Sequence, residues 1–178
     1  MRRRDFIALG SAAAAWSIEA RAQQLPAVGF LGSDSPELYA NRLRAFRRGL
    51  KDAGYIESEN VVIEYRWANG DNNRLAALAA ELVGLRVNVL VSGTTPAALA
   101  LKAATTSIPT VFFIAGDPVA LGLVGSLNRP GANITGTTAL TLEAGKKWLQ
   151  LLQETVPSAT EFAVLINPTS PNLAEAQT

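Results

Sequence analysis

The run V-N-V-L-V-S-G-T-T-P-A-A-L-A-L-K-A-A, from Val87 to Ala104, limits the fold more than any other stretch. Val87, Val89, Leu90 and Val91 make a short β-rich apolar run, which reads as a buried strand. Gly93 permits a tight turn, Thr94 or Thr95 can cap a helix, and Pro96 suits its first position. A helix that starts beyond the carboxyl end of a parallel strand presents unpaired N–H groups and the positive end of its dipole. The hydroxyls of Ser92, Thr94 and Thr95 fall at the same place. The corner has two readings: a small anion-binding site, or an ordinary strand–loop–helix connection with a Ser/Thr cap.

The same pattern repeats along the chain. Val28-Gly29-Phe30-Leu31 is a first buried strand, followed by Gly32-Ser33-Asp34-Ser35-Pro36. Ser35 can cap a helix with Pro36 at its first position and Glu37 in its first turn, predicted to run to Asp52. Leu38, Leu43, Phe46 and Leu50 lie near helical spacing, with Arg42, Arg44, Arg47, Arg48 and Lys51 on a solvated side. Ala53-Gly54 ends that helix. Val61 to Trp67 alternates as a strand near the sheet edge. Ala68 to Asn72 is turn chemistry, and Leu75, Leu78, Ala79 and Leu82 carry a short helix ending near Gly84. Beyond the Val87–Ala104 unit, Val111-Phe112-Phe113-Ile114 is a fourth buried strand, ended by Ala115-Gly116-Asp117-Pro118. Val119 to Leu127 has room for one or two helical turns, and Ile134 to Thr138 is a short polar strand. Glu143 to Thr155 reads as a helix with Trp148, Leu149, Leu151 and Leu152 on its apolar side. Phe162 to Ile166 is a sixth buried run, which opens a second α/β unit.

Strands alternating with helices imply a parallel sheet covered on both faces. Right-handed crossovers and about five strands predict an α/β, flavodoxin-like doubly wound sheet. Ligands of such sheets bind beyond the carboxyl ends of the strands. Three loops qualify: Gly32 to Ser35, Ser92 to Thr95, and Gly116 to Pro118.

Composition narrows the chemistry. The chain has no Cys, so disulfides, thiolate metal sites and Cys nucleophiles are out, and no His, so the usual general base is missing. No G-x-x-x-x-G-K-[ST] run and no helix-opening G-x-G-x-x-G occurs, which counts against nucleotides. Carboxylates are too scattered to suggest a metal, and no cofactor is expected. Residues 1–22 read as an export signal: Arg2, Arg3 and Arg4, a short Ala-rich apolar run from Phe6 to Ile18, and a cleavage site at Ala20-Arg21-Ala22. Arg3-Arg4-Asp5-Phe6-Ile7 resembles the twin-arginine signal, with Arg2 where that signal prefers Ser or Thr. Cleavage would remove four basic residues (Arg2, Arg3, Arg4, Arg21) and two acidic ones (Asp5, Glu19), turning a formal +1 into −1. The basic excess therefore belongs to the signal, and nothing points to nucleic acid.

The runs V-G-F-L-G-S, F-R-R-G-L-K-D-A-G-Y, I-E-Y-R-W-A, V-S-G-T-T-P-A-A-L-A-L-K-A-A-T, G-D-P-V-A-L-G-L-V-G-S-L-N-R-P-G-A-N-I-T-G and V-L-I-N-P follow one another behind the export signal. In that order the chain resembles the substrate-binding proteins of ABC transporters, in the family related to tryptophan- and tyrosine-binding components. Gly116 to Gly136 is the most specific part of the likeness. The resemblance implies a periplasmic receptor with two flavodoxin-like lobes that closes on a small solute, with an amino-acid-like one as the candidate. It implies delivery of that solute to a membrane permease, without catalysis; the absence of Cys rules out lipid attachment at cysteine, and a monomer is expected. The domain division it implies is 1–22 export signal, 23–157 first lobe with its crossover helix, and 158–178 the start of a second, truncated lobe.

The same resemblance places ligand contacts at Ser33, Asp34, Ser92, Gly93, Thr94, Thr95, Gly116, Asp117 and Asn167. Ser92, Thr94 and Thr95 would receive a carboxylate, with capping as the alternative. Asp117 precedes a proline, so it either initiates a turn or pairs with a ligand ammonium. Ser33 and Asp34 are also explained by the helix start at Ser35 and Pro36. Tyr39, Trp67 and Phe113 could stack on a ligand, but aromatics at strand ends more often belong to core or rim, and they are left outside the site. An exported enzyme using Asp117 with Ser92 or Thr94 is the competing class, since fold alone does not fix function. A non-binding fragment of a truncated gene is the third reading.

Overall fold

The computed structural model describes residues 25–139 and 145–163, the side chains of residues 145 and 146 excepted. The export signal at 1–22, Asn167, the residues 143 and 144 and most of the sixth apolar run lie outside the described residues.

Among the described residues five strands form one all-parallel sheet: β1 Ala27–Gly32, β2 Val62–Trp67, β3 Val89–Ser92, β4 Thr110–Ile114 and β5 Ile134–Thr138. Their order is β2-β1-β3-β4-β5. This is the flavodoxin-like winding, in which the order reverses between β1 and β3. Helices α1 (Ala40–Asp52), α2 (Leu75–Gly84), α3 (Thr95–Ala104) and α4 (Gly145–Thr155) follow β1, β2, β3 and β5.

Side-chain alternation along the strands divides the core between two faces. On one face Leu31 and Leu90 pack against Leu75, Leu78, Leu82, Ala97 and Leu101 of α2 and α3. The same face continues through Ala98, Phe112, Ile114 and Ile134, closed by Leu123 and Val124. On the other face Phe30 and Ile63 meet Tyr39 and Leu43, with Phe46, Tyr65, Trp67 and Val91 around them. The phenyl ring of Phe30 is the centre of this second cluster, with the rings of Tyr39, Phe46, Tyr65 and Trp67 at 5.4–5.8 Å.

Several expectations change in detail. The helix after β1 begins at Ala40, not at Pro36. Residues 36–39 form a turn in which Tyr39 N–H donates to the Ser35 carbonyl at 3.1 Å. Ser35 Oγ accepts from Leu38 N–H at 3.4 Å, so it serves the turn and not a helix cap. The turn carries Leu38 outward, 79% exposed, and Tyr39 inward, 3% exposed. The end of α1 is as read. Gly54 takes φ +86°, Tyr55 N–H reaches the Leu50 carbonyl and Gly54 N–H the Lys51 carbonyl, the paired bonds of a Schellman motif. The five basic residues of α1 are all exposed; Arg47 pairs with Glu57 at 2.6 Å. Val119 to Leu127 contains turns and no helix.

β4 is buried on one face only. Phe112 and Ile114 are inside, while Val111 and Phe113 are 42% and 48% exposed. The reason lies in coverage: α1 covers β1, β2 and part of β3 on that face, and none of the described residues covers β4 there. On α4, Trp148, Leu149, Leu151 and Leu152 form the expected apolar side, yet each is about half exposed.

Candidate functional site

The carboxyl ends of β1 and β3 are adjacent, because Leu31 pairs with Ser92 in the sheet register. The loops that follow them therefore leave the sheet side by side at the point where strand order reverses, where open α/β sheets place their ligands. Ser33 Oγ donates to Thr94 Oγ1 at 2.9 Å across 61 positions of sequence. Two of the three loops singled out from sequence are thus tied directly to each other.

The β1 loop is also held from its other side. Gly70 N–H donates to the Ser33 carbonyl at 2.8 Å and Asn69 N–H to the Asp34 carbonyl at 3.3 Å. Asn69 has φ +55°, a left-handed conformation that Asn tolerates better than most residues. These bonds occupy the backbone of the β1 loop and leave the carboxylate of Asp34 without a hydrogen-bond partner among the described residues.

At the start of α3, Thr94 is the N-cap residue, in extended conformation, but its side chain caps nothing. Its hydroxyl is engaged with Ser33 instead. Pro96 is at the second helical position and brings no N–H. The first-turn N–H groups of α3 consequently have no side-chain acceptor among the described residues, which leaves the positive end of the helix dipole available.

Ser92 is placed differently from its neighbours. It shares a face with Leu90, and the two are 1% and 0% exposed. It lies between Leu31 on β1 and Phe112 on β4 in the sheet register. Its Oγ is closed to solvent and has no hydrogen-bond partner among the described residues. Ser92 therefore sits behind the corner, whereas Asp34, Gly93 and Thr94 are partly open. Thr95 and Ser33 are nearly closed, at 5% and 7%.

The third loop leaves β4. Thr138 Oγ1 on β5 donates to the Gly116 carbonyl at 2.6 Å, fixing the loop to the neighbouring strand end. Asp117 Oδ1 accepts from Val119 N–H at 2.7 Å and from Ala120 N–H at 3.3 Å. One of its two oxygens thus organises the turn after Pro118, and the turn reading of Asp117 is realised. The other oxygen makes no bond among the described residues. No group of three or more acidic residues that could hold a metal occurs among the described residues.

Two features next to the site were not assigned to it from sequence. Tyr39 Oη donates to the Gly93 carbonyl at 3.0 Å, and the ring of Trp67 covers Gly32, where a Cβ would lie 2.2 Å from the indole. Burial pushes the Tyr39 hydroxyl above its ordinary pKa. The nearby Arg42 guanidinium, 5.3 Å from the ring centroid, opposes that shift. Neither contact had a local signal: each joins residues distant in sequence, and only a glycine at the strand end hints that something large passes close by. Phe113, the third aromatic considered, faces out on the uncovered side of β4.

Comparison with known proteins agrees with this architecture. A family model described as ABC transporter substrate binding protein matches residues 34–177. A curated protein of Clostridioides difficile called Tyrosine-binding protein is 32% identical over 130 residues, which is 72% of this chain and 37% of that protein. Among solved structures, a conserved domain protein from Vibrio cholerae superposes with a TM-score of 0.75 at 31% identity, covering 86% of this chain and 51% of the other. A domain from Streptococcus pneumonia solved in complex with L-Trp gives a TM-score of 0.60 at 29% identity, over 65% of this chain and 39% of the other. The chain spans about half the length, or less, of these relatives.

Proposed function

The chain belongs to the ABC transporter substrate binding protein family, and on that premise we propose that its β1, β3 and β4 loops form one wall of a cleft for a small amino-acid-like solute. The ligand's carboxylate is received by the Thr94 hydroxyl and the first-turn N–H groups of α3. Its amine faces Asp34 and the uncommitted oxygen of Asp117. Gly116 lets the ligand approach the backbone closely, the Gly93 backbone lines the same wall, and Ser33 and Ser92 support it from behind. The protein binds and does not catalyse; in support, one relative is called Tyrosine-binding protein and another was solved in complex with L-Trp.

The observation that carries this reading is the Ser33–Thr94 bond beside an uncapped α3. It joins the two loops of the switch point and diverts the one hydroxyl that would otherwise have closed the helix start. The carboxylate of Asp34, the residue next to Ser33, makes the corner bipolar, as a zwitterion requires.

In the same proposal residues 23–157 form the first lobe with its crossover helix, and residues 158–178 begin a second lobe, with Asn167 on the opposite wall of the cleft. The solute passes from the cleft to a membrane permease. The protein acts as a monomer in the periplasm after removal of residues 1–22. Among the described residues no helix is long and apolar enough to cross a membrane.

Aromatic amino acids are the first probes, given the names of the relatives. Calorimetric titration with L-tryptophan and L-tyrosine should detect binding. Thr94→Val preserves shape but leaves a charged hydrogen bond unmade, which should weaken binding by about 1.5–3 kcal/mol. Asp34→Asn should weaken amino acids but not the deaminated analogue indole-3-propionate. Unchanged titrations for both variants would place the ligand elsewhere.

A further inference from the structure

We propose that Tyr39 is the positioning residue of the loop after β3, and that residue 93 is glycine in order to admit it. The proposal rests on the ligand-binding reading above, because this loop carries Thr94 and leads into α3.

Tyr39 is the last residue before α1, and its ring is almost wholly buried, at 3% exposure. Its hydroxyl crosses 54 positions of sequence to donate to the Gly93 carbonyl at 3.0 Å. Gly93 is the single residue between Ser92, where β3 ends, and Thr94, the N-cap of α3. A bond to its carbonyl therefore fixes the direction in which the chain enters α3. With Tyr39 too buried to meet a solute, its influence on binding passes through Gly93.

The glycine is explained by space. A Cβ at residue 93 would lie 1.8 Å from the Tyr39 hydroxyl oxygen and 2.3 Å from Cζ. Its backbone is not in the left-handed region, unlike that of Gly54, Gly70, Gly122 and Gly131. No conformational demand of the backbone accounts for glycine here, whereas the passing phenol does.

The ring has little freedom to move aside. Phe30 and Trp67 pack against it at 5.7 and 5.8 Å between centroids, and Arg42 covers it at 5.3 Å. Trp67 in turn lies over Gly32, the last residue of β1. Each strand end at the switch point thus has a glycine covered by one aromatic ring, and the two rings touch. A rigid support of this kind preorganises a polar site and lowers the ordering cost of binding.

Tyr39→Phe in the full 178-residue chain keeps the ring and deletes only the hydroxyl. The carbonyl carbon signal of Gly93 should shift, and the amide of Ala98, which donates to the Thr94 carbonyl at 3.0 Å, should exchange faster with solvent, while those of Phe30 and Leu31 do not. Affinity for L-tryptophan, followed by the amide shifts of Thr94 and Thr95, should fall roughly 2- to 12-fold, the worth of one neutral hydrogen bond. A double-mutant cycle gives a second, ligand-independent reading. Gly93→Ala should lower the unfolding midpoint strongly in the natural background and much less in Tyr39→Ala. An unmoved Gly93 carbonyl, or a Gly93→Ala effect equal in both backgrounds, overturns the proposal. If L-tryptophan fails to bind the natural chain, the ligand reading fails, and the carbonyl shift, amide exchange and cycle still decide whether Tyr39 holds the loop.

Discussion

Ser92→Ala should make the protein more stable. Burial without a partner is costly for a hydroxyl: an unsatisfied group inside a protein costs about 1–3 kcal/mol. Ser92 Oγ is such a group, closed to solvent and unpaired among the described residues, on a residue that is 1% exposed. Alanine keeps the Cβ and removes the oxygen. The void left behind is at most one oxygen atom in size, and at roughly 24 cal/mol per Å³ of cavity it offsets only a few tenths of a kcal/mol. The net gain is about 1 kcal/mol. For a chain of this length each kcal/mol moves the melting temperature by about 2–4 °C. Thermal unfolding followed by far-ultraviolet circular dichroism should therefore show a rise of a few degrees. Ser33→Ala is the internal control, because Ser33 is nearly as buried but bonds Thr94 Oγ1 at 2.9 Å. It should lower stability by about 1 kcal/mol, since a made bond is lost. A fall in melting temperature for Ser92→Ala, of the size seen for Ser33→Ala, would refute the reasoning and show that the Ser92 hydroxyl has a partner.

Two further perturbations test the core and the aromatic face. Leu82 is fully buried in the cluster shared by α2, α3 and the sheet; Leu82→Ala should cost about 2–5 kcal/mol in chemical denaturation, and a cost below 1 would mean that α2 is not firmly packed. The Tyr65 hydroxyl is pushed from 10.0 to about 12, chiefly by burial and then by Glu57. A raised pKa favours the neutral form in the folded state, so its contribution is complete below pH 10 and is lost as pH rises towards about 12. Alkaline unfolding in that window should be shallower in Tyr65→Phe than in the natural protein; superimposable curves would remove Tyr65 as the cause.

Much of the fold is written locally in the chain. Period-2 alternation from Val61 to Trp67, the apolar spacing of Leu75, Leu78, Ala79 and Leu82, and the Ala53-Gly54 stop each depend on neighbours within a few residues. They determine strand, helix and end wherever the chain is placed, and their alternation determines a parallel doubly wound sheet. The positions of the three candidate loops follow, because crossover topology puts them at the carboxyl ends of the strands.

What each loop residue does was decided only when distant segments met. Ser92, Thr94 and Thr95 look alike as a run of hydroxyls, yet one is buried and unpaired among the described residues, one bonds Ser33, and one is nearly closed at the start of α3. Strand alternation alone turns Ser92 to the face of Leu90, but the identity of its neighbours comes from the register with β1 and β4. Ser35 and Pro36 carry a sound local signal for a helix start, which loses to the burial of Tyr39 between Phe30, Trp67 and Gly93. Val111 and Phe113 have the composition of a central strand and remain half exposed, because the face they share is covered only where α1 reaches. Propensity and periodicity act over a few residues and are legible in order. Partnership acts across 54 or 61 positions, so it exists only once the sheet has brought those positions together.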